Sequence, residues 1–324
     1  MGLLIFSLWP FVFPENVYLG FVIGTIIFSA SSGLAEVLIS PVIAAIPAEN
    51  PDREMSKLHS VYAWGVVGVI IFSGIFILLF GTENWQWLMM LCTLVPITAA
   101  VLYCFSTIPQ METPEKISGA LKLAKNKGLW LCFITIFFGG AAECSMAQWA
   151  SGYLEQALNI PKFFGDIFGV AMFSVMLGLG RTMYAKKGKN IGRVLFLCSV
   201  GASICYFVCA FTTIPLIGLI FCALTGLCTS MMWPGSLIVS TDKFPAGGVF
   251  VYAIMAAGGD FGASVAPQLI GLVCDFTIKS KSLVNLAANL NLTPDQLGMK
   301  LGLFVGFLFP LMAIFTTCKL WKSK

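Results

Sequence analysis

Residues 18–46 read YLGFVIGTIIFSASSGLAEVLISPVIAAI, and this stretch decides the fold. It holds one charged residue, Glu36, in a run long enough to cross about 30 Å of hydrocarbon as a helix. The apolar residues are continuous rather than alternating, so the segment reads as a membrane helix and not as a barrel strand. Working outward, the same pattern recurs at 58–80, 87–108, 128–154, 163–184, 191–211, 215–241, 247–276 and 300–320. The chain is 58% hydrophobic and only 10% charged, against about 25% charged for a soluble domain. Backbone groups in lipid must bond within their own segment, so an all-α integral membrane protein is expected. Residues 2–13 are apolar but too short to cross, and Pro10 and Pro14 close them. They read as the tail of a further span, which makes nine full spans plus a partial one.

Loops alternate sides of the bilayer, so the distribution of Lys and Arg orients the chain. Arg53, Lys57, the lysines between 116 and 127, the Lys186/Lys187/Lys189/Arg193 cluster, Lys243 and the Lys319/Lys322/Lys324 tail fall on one side. The other side has Lys162, Lys279, Lys281 and Lys300. The richer side is expected to be cytoplasmic, with the C-terminus on it, in a multi-pass plasma-membrane protein. Residues 109–127 form the longest polar connection there. The expected division is a first bundle at 1–108, this loop, and a second bundle of six helices at 128–324.

An internal repeat supports two bundles. Gly33-Leu34 precedes Pro41 with the same spacing as Gly226-Leu227 precedes Pro234. Val61-Tyr62-Ala63 precedes Gly68 as Val251-Tyr252-Ala253 precedes Gly258, and the intervening stretch differs by three residues. Colinear matches on helix pairs crossing in the same direction argue for parallel repeats about an axis along the membrane normal. Span 215–241 is the fourth of its half. Span 18–46 is then the fourth of the other half, and two helices and part of a third are expected ahead of it in the repeat unit.

These features resemble the major facilitator superfamily, and within it the fucose permease-like branch of sugar:proton symporters. Gly33-Leu34-Ala35-Glu36-Val37-Leu38-Ile39-Ser40-Pro41 is similar to that branch's fourth helix, where a membrane glutamate precedes an Asn-Pro pair. Ser40-Pro41 departs from that pair. Gly180-Arg181 followed by Lys186-Lys187-Gly188-Lys189 resembles the basic loop between helices eight and nine. The resemblance implies a two-bundle transporter lacking its first two helices and part of the third. In that branch the first helix supplies a second coupling acid, so the coupling mechanism does not carry over whole.

An ionisable residue inside a span costs several kcal/mol, on the order of 2.5–3.5, and so marks a site or a structural lock. Glu36 lies mid-span, with Thr25, Ser29, Ser32 and Ser40 on the same helical face; a path lining or a packing face of small residues would both give this stripe. Asp260 heads a line with Tyr252, Ser264 and Gln268, beside Pro267. Glu143 follows Gly139-Gly140, which suggests a weakened helix near a site, with Gln148 and Trp149 beyond; Trp149 reads as a binding platform or an interfacial anchor. Thr225, Thr229 and Trp233 share a face ahead of Pro234. Arg181 is expected to snorkel to the cytoplasmic edge as a gating or structural residue. His59 reads as interfacial filler, and Asp166 and Asp275 as solvated caps.

The three central carboxylates Glu36, Glu143 and Asp260 then face no equally central cation, and are the proton-coupling candidates. Gln148, Trp149, Thr229, Trp233, Tyr252, Ser264 and Gln268 are the solute-binding candidates, with amide, hydroxyl and aromatic faces that suit a sugar-like ligand. The expected function is proton-coupled transport of a small polar solute by alternating access, by a monomer in the bilayer. Export of a drug or metabolite is the alternative within transport, and a non-transporting fragment or sensor the alternative outside it. The eleven cysteines contain no CxxC pair and a single histidine is present, so neither a metal site nor another cofactor is expected. No HExxH, GxSxG or phosphate loop occurs, so an enzyme is not expected, and no nucleic-acid partner is expected.

Overall fold

The computed structural model describes residues 1–110, 123–161 and 164–322, apart from the side chains of 166 and 167. Lys162 and most of the 109–127 connection lie outside the described residues, as does the side chain of Asp166. The elements are α1 (Gly2–Val12), α2 (Val17–Ala45), α3 (Pro51–Phe80), α4 (Trp85–Cys104), α5 (Lys127–Leu158), a π-helical segment (Gly165–Ala171), α6 (Met172–Lys187) and α7 (Ile191–Phe211). They continue as α8 (Pro215–Thr229), α9 (Met232–Lys243), α10 (Gly248–Lys279), α11 (Lys281–Asn289) and α12 (Pro294–Lys322). Among the described residues, nine helical stretches are long and apolar enough to cross a membrane.

Local chemistry sets several helix ends. Asn50 accepts from the Arg53 N–H ahead of α3, and Asn126 accepts from the Gly128 N–H ahead of α5. Thr293 and Gln296 form a reciprocal capping box at the start of α12. Asn159 ends α5 in the left-handed conformation, where Ile160 N–H reaches back to the Leu154 carbonyl and Pro161 follows.

Among the differences from the sequence expectation, two add a helix. The span expected at 215–241 is two helices, α8 and α9, broken at Ser230–Met231. Pro234 has no N–H to give the carbonyl four residues earlier, which is that of Ser230, and Thr229 back-bonds to the Thr225 carbonyl. The second difference is α11, a short amphipathic helix between α10 and α12 whose polar composition hides it from a search for spans.

Two compact units are present, Met1–Ile46 with Gly68–Met111, and Pro47–Val67 with Glu112–Lys324. In the first, α1 packs on α2 and α4, with Phe6 stacked on Phe21 at 4.7 Å between ring centroids. In the second, α5 packs against α10 and α12, α12 against α7, and α8 against α6 and α7. The first half of α3 belongs to this second unit. Two of its ties are to α6: Ser56 Oγ donates to the Arg181 carbonyl at 2.8 Å, and Trp64 Nε1 donates to Thr182 Oγ1 at 3.1 Å.

The tightest seam joins α5 to α10. A Cβ on Gly262 would stand 2.0 Å from the Phe137 carbonyl oxygen, and one on Gly140 would stand 2.3 Å from the Gly259 carbonyl oxygen. Backbones approach this closely only where no side chain intervenes, the same device that holds small-residue membrane interfaces together. Gly139-Gly140 therefore does not weaken its helix: α5 runs unbroken from Lys127 to Leu158. The glycine pair is a contact surface.

Candidate functional site

The site grows from the break between α8 and α9. A helix interrupted in lipid leaves carbonyls that no water can satisfy. Arg181, on α6, answers this from the side: its Nε donates to the Ser230 carbonyl at 2.9 Å. Its Nη1 donates to the His59 carbonyl on α3 at 3.2 Å, and its Nη2 donates to both carboxylate oxygens of Glu143 on α5, at 2.8 and 2.7 Å. The Tyr62 ring lies 5.8 Å from the guanidinium carbon. Arg181 is 1% exposed and Glu143 is 6% exposed.

This arrangement corrects two expectations. Arg181 does not snorkel; it is among the largest fully buried side chains of the protein. Glu143 is not a carboxylate without a central cation, because it shares one guanidinium nitrogen between its two oxygens. The planar fork of arginine, with five donors in fixed directions, serves a carboxylate and two carbonyls at once; an ammonium has no such reach. The sequence signal for the missing acceptor was Pro234, which frees the Ser230 carbonyl. Nothing local in the sequence marks the His59 carbonyl as the third acceptor.

Trp233, at the start of α9, lies one short step from the break. Its ring packs between Gly140 and Gly259, where added Cβ atoms would come within 2.8 and 2.4 Å of it. The side chain is buried at 8% exposure, and its indole Nε1 has no hydrogen-bond partner. A buried indole N–H without an acceptor is costly, and such groups cluster where a ligand or water completes them. Tyr252 on α10 is buried in the same apolar cluster as Trp233.

The remaining candidates divide by exposure. Asp260, Ser264 and Gln268 are exposed along one stripe of α10, with Ser264 Oγ donating to the Asp260 carbonyl at 2.8 Å. Gln148 is exposed on α5. Trp149 is half-buried, and its Nε1 donates to the Pro267 carbonyl at 3.0 Å, which makes it a tie between α5 and α10 with only its ring face left for a ligand. Thr229 is fully buried with its hydroxyl committed to its own helix. In the first unit, Thr25, Ser29 and Ser32 are exposed along α2, while Glu36 is half-buried and Ser40 buried.

Lys300 was placed by sequence in an outer loop at the start of its span, but α12 begins at Pro294 and carries Lys300 inside the bundle. It is buried, and its Nζ donates to the Thr212 carbonyl at the end of α7. His59 keeps a buried Nε2 with no partner. No cluster of three or more His, Cys, Asp or Glu able to hold a metal occurs among the described residues.

Comparison with known proteins agrees with this architecture. No curated protein sequence matches the chain. Two crystal structures of the fucose:proton symporter FucP are similar in fold. One, a point mutant of the E. coli protein, shares 15% identity at a TM-score of 0.66, covering 96% of this chain and 82% of that one. The other, in the outward conformation, shares 17% identity at a TM-score of 0.69, covering 96% and 81%. The family description that matches residues 1–277 is the Major Facilitator Superfamily, a family of transporters and not of enzymes, and the chain belongs to it.

Proposed function

We propose that this transporter carries a small polar, sugar-like solute together with a proton, by alternating access in the plasma membrane with its lysine-rich side and C-terminus in the cytoplasm. The observation that carries the reading is the exposed polar stripe of Asp260, Ser264 and Gln268 on a helix long and apolar enough to span a membrane. A carboxylate has no reason to stand exposed on a spanning helix unless that face lines a wet path. The half-buried Glu36, on the α2 stripe, is the second candidate of the same kind. Asp260 and Glu36 are then the proton-coupling groups. Trp233 offers its unused indole N–H toward the solute, with Tyr252, Gln148 and Gln268 as further contacts. Glu143 takes a different part: with Arg181 it holds α3, α5, α6 and the α8–α9 break in register. The fold likeness to a fucose:proton symporter supports this choice of solute class and ion.

The test is flux. The full chain in proteoliposomes should take up a tritiated monosaccharide saturably, several-fold faster with an inward proton gradient, and the gain should vanish with a protonophore. Asp260→Asn should abolish gradient-driven uptake while leaving solute exchange at equal pH. A rate indifferent to pH, with Glu36→Gln and Asp260→Asn as active as the parent, would sink proton coupling through these residues. Outward flux of a lipophilic cation in place of sugar uptake would establish the exporter instead.

A further inference from the structure

At the lysine-rich end of the second unit, α7 and α12 part to leave a groove of about 630 Å³ lined by Phe196, Ile314, Phe315, Cys318, Lys319 and Lys322. Phe196 and Trp321 pack at 5.6 Å between ring centroids, and Gly192 touches Trp321, so the two helix ends meet below the groove. Its lining changes character along α12. Ile314, Phe315 and Cys318 form an apolar floor toward the membrane centre; Lys319 follows directly, and Lys322 stands at the end, about 12 Å beyond Ile314 by the helical rise. Both lysines are exposed and neither makes an ion pair among the described residues. Lys189 and Arg193, exposed at the start of α7, add positive charge at the same end.

We propose that this groove is a binding site for one anionic phospholipid of the leaflet on the lysine-rich side. An acyl chain fills the apolar floor between α7 and α12, and the phosphodiester oxygens accept hydrogen bonds from the ammonium groups of Lys319 and Lys322. The argument rests on charge and depth together. The cations sit where the headgroup layer meets a helix end, and the apolar lining begins where the acyl chains begin. Basic pockets between spanning helices at this level take anionic headgroups, and each lysine near the surface strengthens the attraction about fivefold. A zwitterionic lipid offers the same chains without net charge, so the lysines discriminate between the two.

The full chain in maltoside micelles, titrated with phosphatidylglycerol or phosphatidylcholine and observed by native mass spectrometry, decides the question. The first phosphatidylglycerol should bind at least tenfold tighter than phosphatidylcholine. Lys319→Gln with Lys322→Gln should weaken phosphatidylglycerol about thirty-fold and remove the preference. Cys318→Phe, which keeps both charges but fills the floor, should weaken it at least tenfold. Lys186→Gln with Lys187→Gln, which removes two cations elsewhere at that end, should leave it within twofold. Equal affinity for the two lipids in the parent overturns the proposal. Equal loss in the control pair, or full binding in Cys318→Phe, also overturns it, because the attraction is then diffuse charge and not a site. If the double lysine variant does not fold, the Cys318→Phe and control arms still decide.

Discussion

Removing one member of the Glu143–Arg181 pair tests the central structural assignment. Arg181→Met deletes the donor to Glu143, to the Ser230 carbonyl and to the His59 carbonyl. It leaves a carboxylate with 8% side-chain exposure without its cation. Breaking a buried pair from one side costs about 3–5 kcal/mol, because the surviving charge stays buried. The freed Ser230 carbonyl adds a desolvation cost of about 1–3 kcal/mol, since Pro234 offers it no N–H. Glu143→Gln is milder: the amide oxygen still accepts from the guanidinium, and both carbonyl contacts remain. Replacing both residues, Glu143→Leu with Arg181→Met, removes the charge problem but not the orphaned carbonyl. The double variant should therefore be more stable than Arg181→Met alone, with a coupling of about 2–3 kcal/mol between the sites. Thermal unfolding in detergent, followed through the reactivity of buried cysteines such as Cys132 and Cys205 as they become exposed, reads these differences as shifts of the midpoint. Arg181→Met should drop it on the order of 10 °C, and Glu143→Gln by less than half as much. A charge exchange, Glu143→Arg with Arg181→Glu, should not rescue, because a carboxylate at 181 meets two carbonyl oxygens. Strictly additive effects, or rescue by the exchange, would refute the assignment of Arg181 as a shared donor.

Further outcomes follow from other contacts. Gly262→Leu forces α5 and α10 apart at a Cβ position already 2.0 Å from a backbone oxygen, and should abolish a monodisperse elution peak, whereas Gly33→Ala, with open space around it, should not. Trp149→Phe loses one N–H bond to the Pro267 carbonyl and should lower stability by about 1 kcal/mol, leaving solute affinity within threefold in equilibrium binding. Trp233→Phe keeps the packing between Gly140 and Gly259 but removes the unpartnered N–H; solute affinity should fall about tenfold with little change in melting point. Lys300→Met leaves the Thr212 carbonyl without its donor and should destabilise the α7–α12 end, as faster backbone hydrogen exchange at residues 209–213 would register.

The spans were legible because a hydrocarbon slab demands length and apolarity, and both are local properties of a sequence. Seven of the nine were readable as single helices, although α3 and α12 begin several residues earlier than expected, and the span at 163–184 opens on a π-helical segment. The ninth failed at Ser230, where the apolar run continues but Pro234 removes one bond and Thr229 turns its hydroxyl inward. The polar residues were harder for a different reason. Glu143 and Arg181 are 38 residues apart in sequence, and no periodicity connects them. Exposure alone separates Asp260 from Glu143, two acids that look alike in their helices: one sits beside Gly259 facing outward, the other beside Ala142 facing a guanidinium. Glycine pairs were similarly ambiguous, since the residue that loosens an isolated helix is also the one that lets two helices touch.

The arginine's reach across the chain has a consequence in time. Its carbonyl acceptor at His59, and the Ser56 hydroxyl that donates to its own carbonyl, lie 122 and 125 residues upstream. At roughly 5–20 residues per second of synthesis, α3 waits about 6–25 s in the membrane before α6 emerges to fasten it. The break at Ser230 is made later still. Until then the first half of α3 has no partner for these contacts, and a chain arrested before residue 181 would hold that segment loose for any quality-control protease to find. This unit's earliest segment is thus fastened only once α6 and the Ser230 break have emerged, with α10 and α12 still to follow.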